Sequence, residues 1–125
     1  MSKTLYNLIN KAMMNGMANL NGRMNYGSGY YGELESKYQA RYNVEEDTFE
    51  LDHWGTNIIT LENASDDDTK VAHIYGQSKS DRDAIMFVFN YFDCKDFSVS
   101  YKPSRDEFHC FVTFVGKKEP QEFII

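Results

Sequence analysis

Apolar residues recur at spacings of three and four from the start of the chain. Leu5, Leu8, Ile9, Ala12, Met13, Met17 and Leu20 form one stripe, with Lys3, Asn7, Asn10, Lys11, Asn15 and Asn19 on the other side. This period predicts an amphipathic helix over 3–24, weakened by Gly16 and stopped near Asn21-Gly22. Met13, Met14, Met17 and Met24 give that helix an adaptable face, suited to a partner or to homodimer formation with a second copy. Residues 25–32 hold three glycines and three tyrosines and read as a connector between helix and sheet, or as an exposed aromatic loop. The period then changes to two. Tyr38, Ala40, Tyr42 and Val44 alternate with Lys37, Gln39, Arg41 and Asn43, and Phe49, Leu51 and His53 alternate with Thr48, Glu50 and Asp52. Beyond Trp54-Gly55, Ile59 and Leu61 take one face and Ile58 and Thr60 the other, and Val71 to Tyr75 is a fourth strand. Short polar turns join these segments, so 37–75 is expected to be a four-strand antiparallel meander.

A second helix is expected over 80–93. Ser80 and Asp83 have the spacing of a capping box, and Ala84, Ile85, Val88, Phe89 and Phe92 give its main apolar stripe. Phe87 and Tyr91 widen the stripe to most of the circumference, which marks a buried helix. Residues 97–115 read as a hairpin turning at Pro103, and Phe123-Ile124-Ile125 as a last short strand or an apolar tail. The expected architecture is α+β in a single domain, 1–125. It is a twisted antiparallel sheet of about six strands, with an N-terminal amphipathic helix and a second buried helix packed on it.

Composition supports one globular domain. The chain has 125 residues, 42% hydrophobic and 26% charged, enough for a core without disulfide or metal. No apolar run has the length of a signal peptide or membrane span, so no membrane association is expected. The two cysteines, Cys94 and Cys110, are far apart, which speaks against a disulfide framework and for a reducing cytoplasm. The net charge of -6 is the wrong sign for direct nucleic-acid binding and the right sign for a basic groove on another molecule.

Candidate chemistry is sparse. His53, His73, His109, Cys94 and Cys110, with Asp52 as a carboxylate, are the residues able to ligate a metal, but none has zinc-site spacing. A zinc-containing interaction protein therefore stays an alternative, while the expectation is no metal and no cofactor. Cys94 ends a helix, where the dipole disfavours a thiolate, and no serine has an identifiable base. The expectation is a protein that is not an enzyme.

Charge placement says more. Seven acids lie between residues 33 and 52 against Lys37 and Arg41 alone, and Glu62, Asp66, Asp67 and Asp68 add four at a neighbouring turn. In a meander the 45–47 and 63–69 turns fall at the same end of the sheet. Glu45, Glu46, Asp47, Asp66, Asp67 and Asp68 are thus the candidate partner-binding residues, and a solvated rim is the plainer alternative.

Two ordered motifs carry a resemblance. His53-Trp54-Gly55-Thr56-Asn57-Ile58 is followed by Tyr75-Gly76-Gln77-Ser78-Lys79-Ser80-Asp81-Arg82-Asp83-Ala84-Ile85. Together they resemble a signature of small bacteriophage and prophage proteins. This chain has Trp54 where those have Tyr, and Met86 where Asn is common. By themselves the motifs read as fold determinants: strand, tight corner, strand, capped helix. A binding role for His53, Thr56, Gln77 and Ser78 is the alternative. The resemblance implies an accessory product of a phage or mobile element, acting in the host bacterial cytoplasm. With the acidic turns, it implies an anti-CRISPR protein that mimics DNA and occupies the cationic channel of a type II CRISPR effector nuclease. A self-associating phage accessory protein is the other reading.

Overall fold

In the computed structural model, the residues described are 3–25, 31–66, 69–94, 97–102, 104–105, 107–112 and 121–124. Helix α1 (Lys3–Asn15) leads into five strands: β1 (Met17–Asn25), β2 (Tyr31–Asn43), β3 (Thr48–His53), β4 (Thr56–Glu62) and β5 (Val71–Ile74). Helix α2 (Lys79–Tyr91), β6 (Phe97–Lys102), β7 (Glu107–Val112) and β8 (Gln121–Ile124) follow. Strands β1 to β5 form one antiparallel sheet in chain order, and β6 to β8 form a second. The fold is α+β, with the expected N-terminal helix. The meander has five strands where the sequence pattern predicts four over 37–75, because β1 joins it, and β6 to β8 form a sheet of their own where a single sheet of about six strands is expected. No helix among the described residues is long and apolar enough to cross a membrane.

The first helix is shorter than its sequence period suggests. It ends at Asn15, and Gly16 turns the chain at φ +88°, a conformation that glycine adopts without Cβ strain. Gly16 donates its N–H to Ala12 and accepts from Tyr42 N–H, which fastens the corner to β2. Met17 and Leu20 fit a helical stripe only by coincidence of spacing. In β1, Ala18 and Leu20 turn towards the core while Met17, Asn19 and Asn21 face outward, a period of two. The asparagines there are weak helix formers, and the segment pairs along β2 instead, with register shifts at Leu20/Asn21 and Arg23/Asn25. The Gly/Tyr connector falls largely on 26–30, outside the described residues. Its flanks, Asn25 and Tyr31, belong to strands and pair with each other.

The core lies between one sheet face and the helices. Leu5, Leu8, Ile9 and Ala12 of α1 meet Ala40, Phe49, Leu51, Ile59 and Leu61 of the sheet. From α2 come Ala84, Ile85, Val88 and Phe89, and β6 adds Val99. Ile58 does not face outward as simple alternation predicts. A bulge opposite Leu51/Asp52 shifts the register, so that Ile58 and Ile59 are both buried. The two helices touch through the Tyr6 and Tyr91 rings and the Tyr91 hydroxyl, which donates to Asn10.

Helix α2 starts at Lys79, one residue before the expected 80, and its cap lies two residues before the expected one. Ser78, not Ser80, is the N-cap, and its hydroxyl oxygen accepts the Asp81 N–H. The Asp81 carboxylate reaches back to the Gln77 N–H at 3.0 Å, a variant of the capping box set two residues upstream of Ser80 and Asp83. At the other end Asp93 takes φ 55°, with Asp93 N–H on Asn90 and Cys94 N–H on Phe89, the paired bonds of a Schellman motif. Strand β6 presents one edge to α2. There Val99 gives its N–H to the Met86 sulfur and its carbonyl to the Arg82 guanidinium. Helix side chains thereby occupy sheet-edge groups that would otherwise template pairing.

Candidate functional site

The β2–β3 and β4–β5 turns meet at one end of the large sheet, and Asp47 joins them. Asp47 sits at φ 52° and accepts from the Tyr42 hydroxyl at 2.6 Å, the Ser65 N–H at 3.0 Å and the Ser65 hydroxyl at 2.6 Å. Its own carbonyl accepts the Ala64 N–H. Burial pushes the carboxyl upward, but the Ser65 and Tyr42 hydrogen bonds outweigh it and hold Asp47 below the usual carboxylate range. The same contact, with some burial, raises the Tyr42 phenol. Asp47 is therefore consumed as an internal fastener and is not presented to a partner as the sequence pattern suggests. Glu45, Glu46 and Asp66 are exposed around it. Asp67 and Asp68 lie outside the described residues.

Other acids of this stretch are spent on the outer face of the sheet. Arg41 makes a two-pronged contact with Asp52, at 2.7 and 3.0 Å, and a further 2.7 Å bond to Glu50. Asp52 also accepts from Asn57. Burial pushes Asp52 up, the Arg41 and Asn57 bonds outweigh it, and the net displacement is downward. Asp47, Glu50 and Asp52, from the run of acids between 33 and 52, thus have internal partners.

The opposite end of β3 holds the two sequence motifs, 53–58 and 75–85, together. His53 ends β3, and Trp54 and Gly55, both at positive φ (51° and 82°), turn the chain into β4. A two-residue hairpin turn of the I′ class needs such angles at both positions. Trp54 N–H closes on the Lys37 carbonyl, and a Cβ on Gly22 would come within 3.6 Å of the Trp54 ring and 3.2 Å of the Lys37 side chain. His53 Nδ1 lies 2.5 Å from Asp81 Oδ1, with both residues buried. Asp81 is pushed up by burial, but hydrogen bonds from His53 and from the Gln77 N–H carry it below its ordinary value. An ionised carboxylate only accepts, so the proton of this bond sits on His53 Nδ1. The Tyr38 ring stacks on the imidazole at 4.4 Å, and burial, then the Asp81 and Asp83 charges, raises its phenol.

Within the signature, then, His53, Trp54, Gly55, Ser78 and Asp81 fasten a strand end to a helix start. Thr56 is exposed at the turn, and Gln77 bonds to the Tyr75 hydroxyl beside it. The sequence pattern misses the partners that make these contacts, Ser65 for Asp47 and Asp81 for His53. Only the Ser78-to-Asp81 spacing signals one of them in advance.

The metal candidates are dispersed. His53 faces Asp81, His73 lies 3.4 Å from Glu62, and His109 lies 3.1 Å from Glu107. Cys94 is buried behind α2, and the Cys110 side chain is outside the described set. Among the described residues no three of His, Cys, Asp and Glu gather as a metal site. On the Met-bearing face, Met14 and Met17 are exposed and Met13 packs on the core. Comparison with known proteins gives no matching family model, no matching curated protein and no matching solved structure.

Proposed function

We propose that this protein is a non-enzymatic binder that inserts its acidic turn end into a cationic groove of a protein partner. Following the phage-like signature, the partner is a CRISPR effector nuclease of a bacterial host, whose DNA channel the protein blocks from within the host cytoplasm. The observation carrying this reading is the Asp47–Ser65 fastening, which holds two neighbouring turns at one end and leaves Glu45, Glu46 and Asp66 exposed there. Carboxylates held close on a stiff platform raise the local potential and lose little freedom on meeting lysine and arginine.

The test is a triple variant, Glu45→Lys with Glu46→Lys and Asp66→Lys, which leaves Asp47 in place to keep the turns folded. Binding to a type II nuclease–guide complex, and inhibition of its DNA cleavage, are measured at low and high salt. The expected result is inhibition by the native chain that weakens with salt, and loss of at least about tenfold in affinity for the variant. A circular dichroism spectrum matching the native chain, together with undiminished inhibition, overturns the reading.

A further inference from the structure

A groove of about 630 Å³ opens on the outer face of the sheet, where α1 gives way to β1 and where β2 runs into the acidic turn. Its lining is mixed. Met17 and Val44, 51% and 73% exposed, are its exposed apolar residues. Arg41, Glu50 and Glu45 are its charged residues, and Met17, Arg41 and Glu50 lie side by side across β1, β2 and β3. Arg41 does not make the groove basic, because Asp52 already binds it through two oxygens. Glu50 adds a second carboxylate to the same guanidinium through Oε2, and no bond to its Oε1 occurs among the described residues. The row is left with excess negative charge, and Glu45 adds to it.

We infer that this groove takes one arginine or lysine side chain from a basic segment of the protein partner. Such a side chain has an aliphatic stem and a cationic head. The stem matches Met17 and Val44, and the head matches Glu50 Oε1 and Glu45. Nucleic acid and anionic membrane carry the wrong charge, and a second copy of this chain, at -6, brings another net negative surface. Val44 and Glu45 belong both to the groove and to the acidic turn, so the inference rests on the proposed function and extends it from a charged end to a shaped subsite.

The experiment titrates the full chain, labelled with ¹⁵N and with ¹³C at Met and Val methyls, with a hexa-arginine peptide at low salt. The Met17 and Val44 methyls and the Thr48 amide are expected to shift and saturate together. A Val44→Ser, Glu50→Gln variant, altered only at partly or fully exposed positions, is expected to bind about tenfold more weakly. Shifts confined to Glu45, Glu46 and Asp66, with the two methyls unmoved, overturn the groove and leave the acidic end standing. No shift at either place overturns both.

Discussion

Asp47 and Ser65, eighteen positions apart, bind each other twice: the Asp47 carboxylate takes both the backbone N–H and the hydroxyl of Ser65. One carboxylate thus serves both turns. Asp47→Ala removes the acceptor for Ser65 and Tyr42 and is expected to cost about 1–2 kcal/mol in urea unfolding. Asp47→Asn keeps part of the bonding and costs less. Glu45→Ala and Glu46→Ala, both at exposed positions, change stability by less than about 0.5 kcal/mol.

The buried His53–Asp81 pair ties β3 to the start of α2. Asp81→Asn and His53→Gln are each expected to destabilise by about 2–3 kcal/mol, because either leaves the other group short of its partner in a desolvated place. The double variant costs less than the two single losses together. A double-mutant cycle on unfolding free energies measures this coupling, and strict additivity contradicts it.

Acid lability follows from three carboxylates. Asp47, Asp52 and Asp81 are each pushed up by burial and drawn further down by hydrogen bonds, ending below 3.8. A carboxyl depressed by folding stabilises fully above its unfolded pKa, and that contribution is lost as pH falls through the folded value. The melting temperature is therefore insensitive to these groups between pH 7 and about 5 and falls below about pH 4. In Asp81→Asn the acid limb is shallower, as a thermal-melt series over pH shows.

The position of the helix cap separates two nearby serines. Ser78→Ala is expected to cost about 1 kcal/mol, since the Asp81 N–H loses its acceptor. Ser80→Ala, at an exposed site whose hydroxyl meets that of Ser78, stays within about 0.5 kcal/mol. Equal losses in thermal or urea unfolding contradict Ser78 as the cap.

Gly55 isolates backbone strain from packing. A Cβ there meets nothing within 4 Å among the described residues, yet φ is +82°. Gly55→Ala is expected to cost about 1 kcal/mol through conformation alone, and Gly55→Asn less, since asparagine tolerates the left-handed region better. Urea unfolding of the two variants gives the comparison.

Much of this architecture is legible in the pattern of side chains. The alternation of Tyr38, Ala40 and Tyr42 and of Phe49, Leu51 and His53 marks β2 and β3 because both lie between a wet face and the core. The stripe of α2 is plain for a similar reason. The errors sit where two periods agree by chance or where one residue interrupts the count. Met17 and Leu20 satisfy a helical spacing while lying on an edge strand, and the bulge at Ile58 resets an alternation that is regular on either side. The site was harder to read. Charge runs reveal that acids are close in sequence, but not that Asp47, Glu50 and Asp52 have Ser65 and Arg41 as internal partners. Those contacts form only when strands pair.

Strand β3 has the imidazole lock at one terminus and the carboxylate-rich corner at the other, about 17 Å away at ordinary strand rise. The imidazole lock and the acidic tip therefore lie a full strand apart. A chain that keeps His53, Trp54-Gly55, Ser78 and Asp81, together with the Asp47–Ser65 bonds, can exchange the exposed side chains of the far corner. Replacing Glu45, Glu46 and Asp66 there offers a route to retargeting the molecule while both fastenings stay in place.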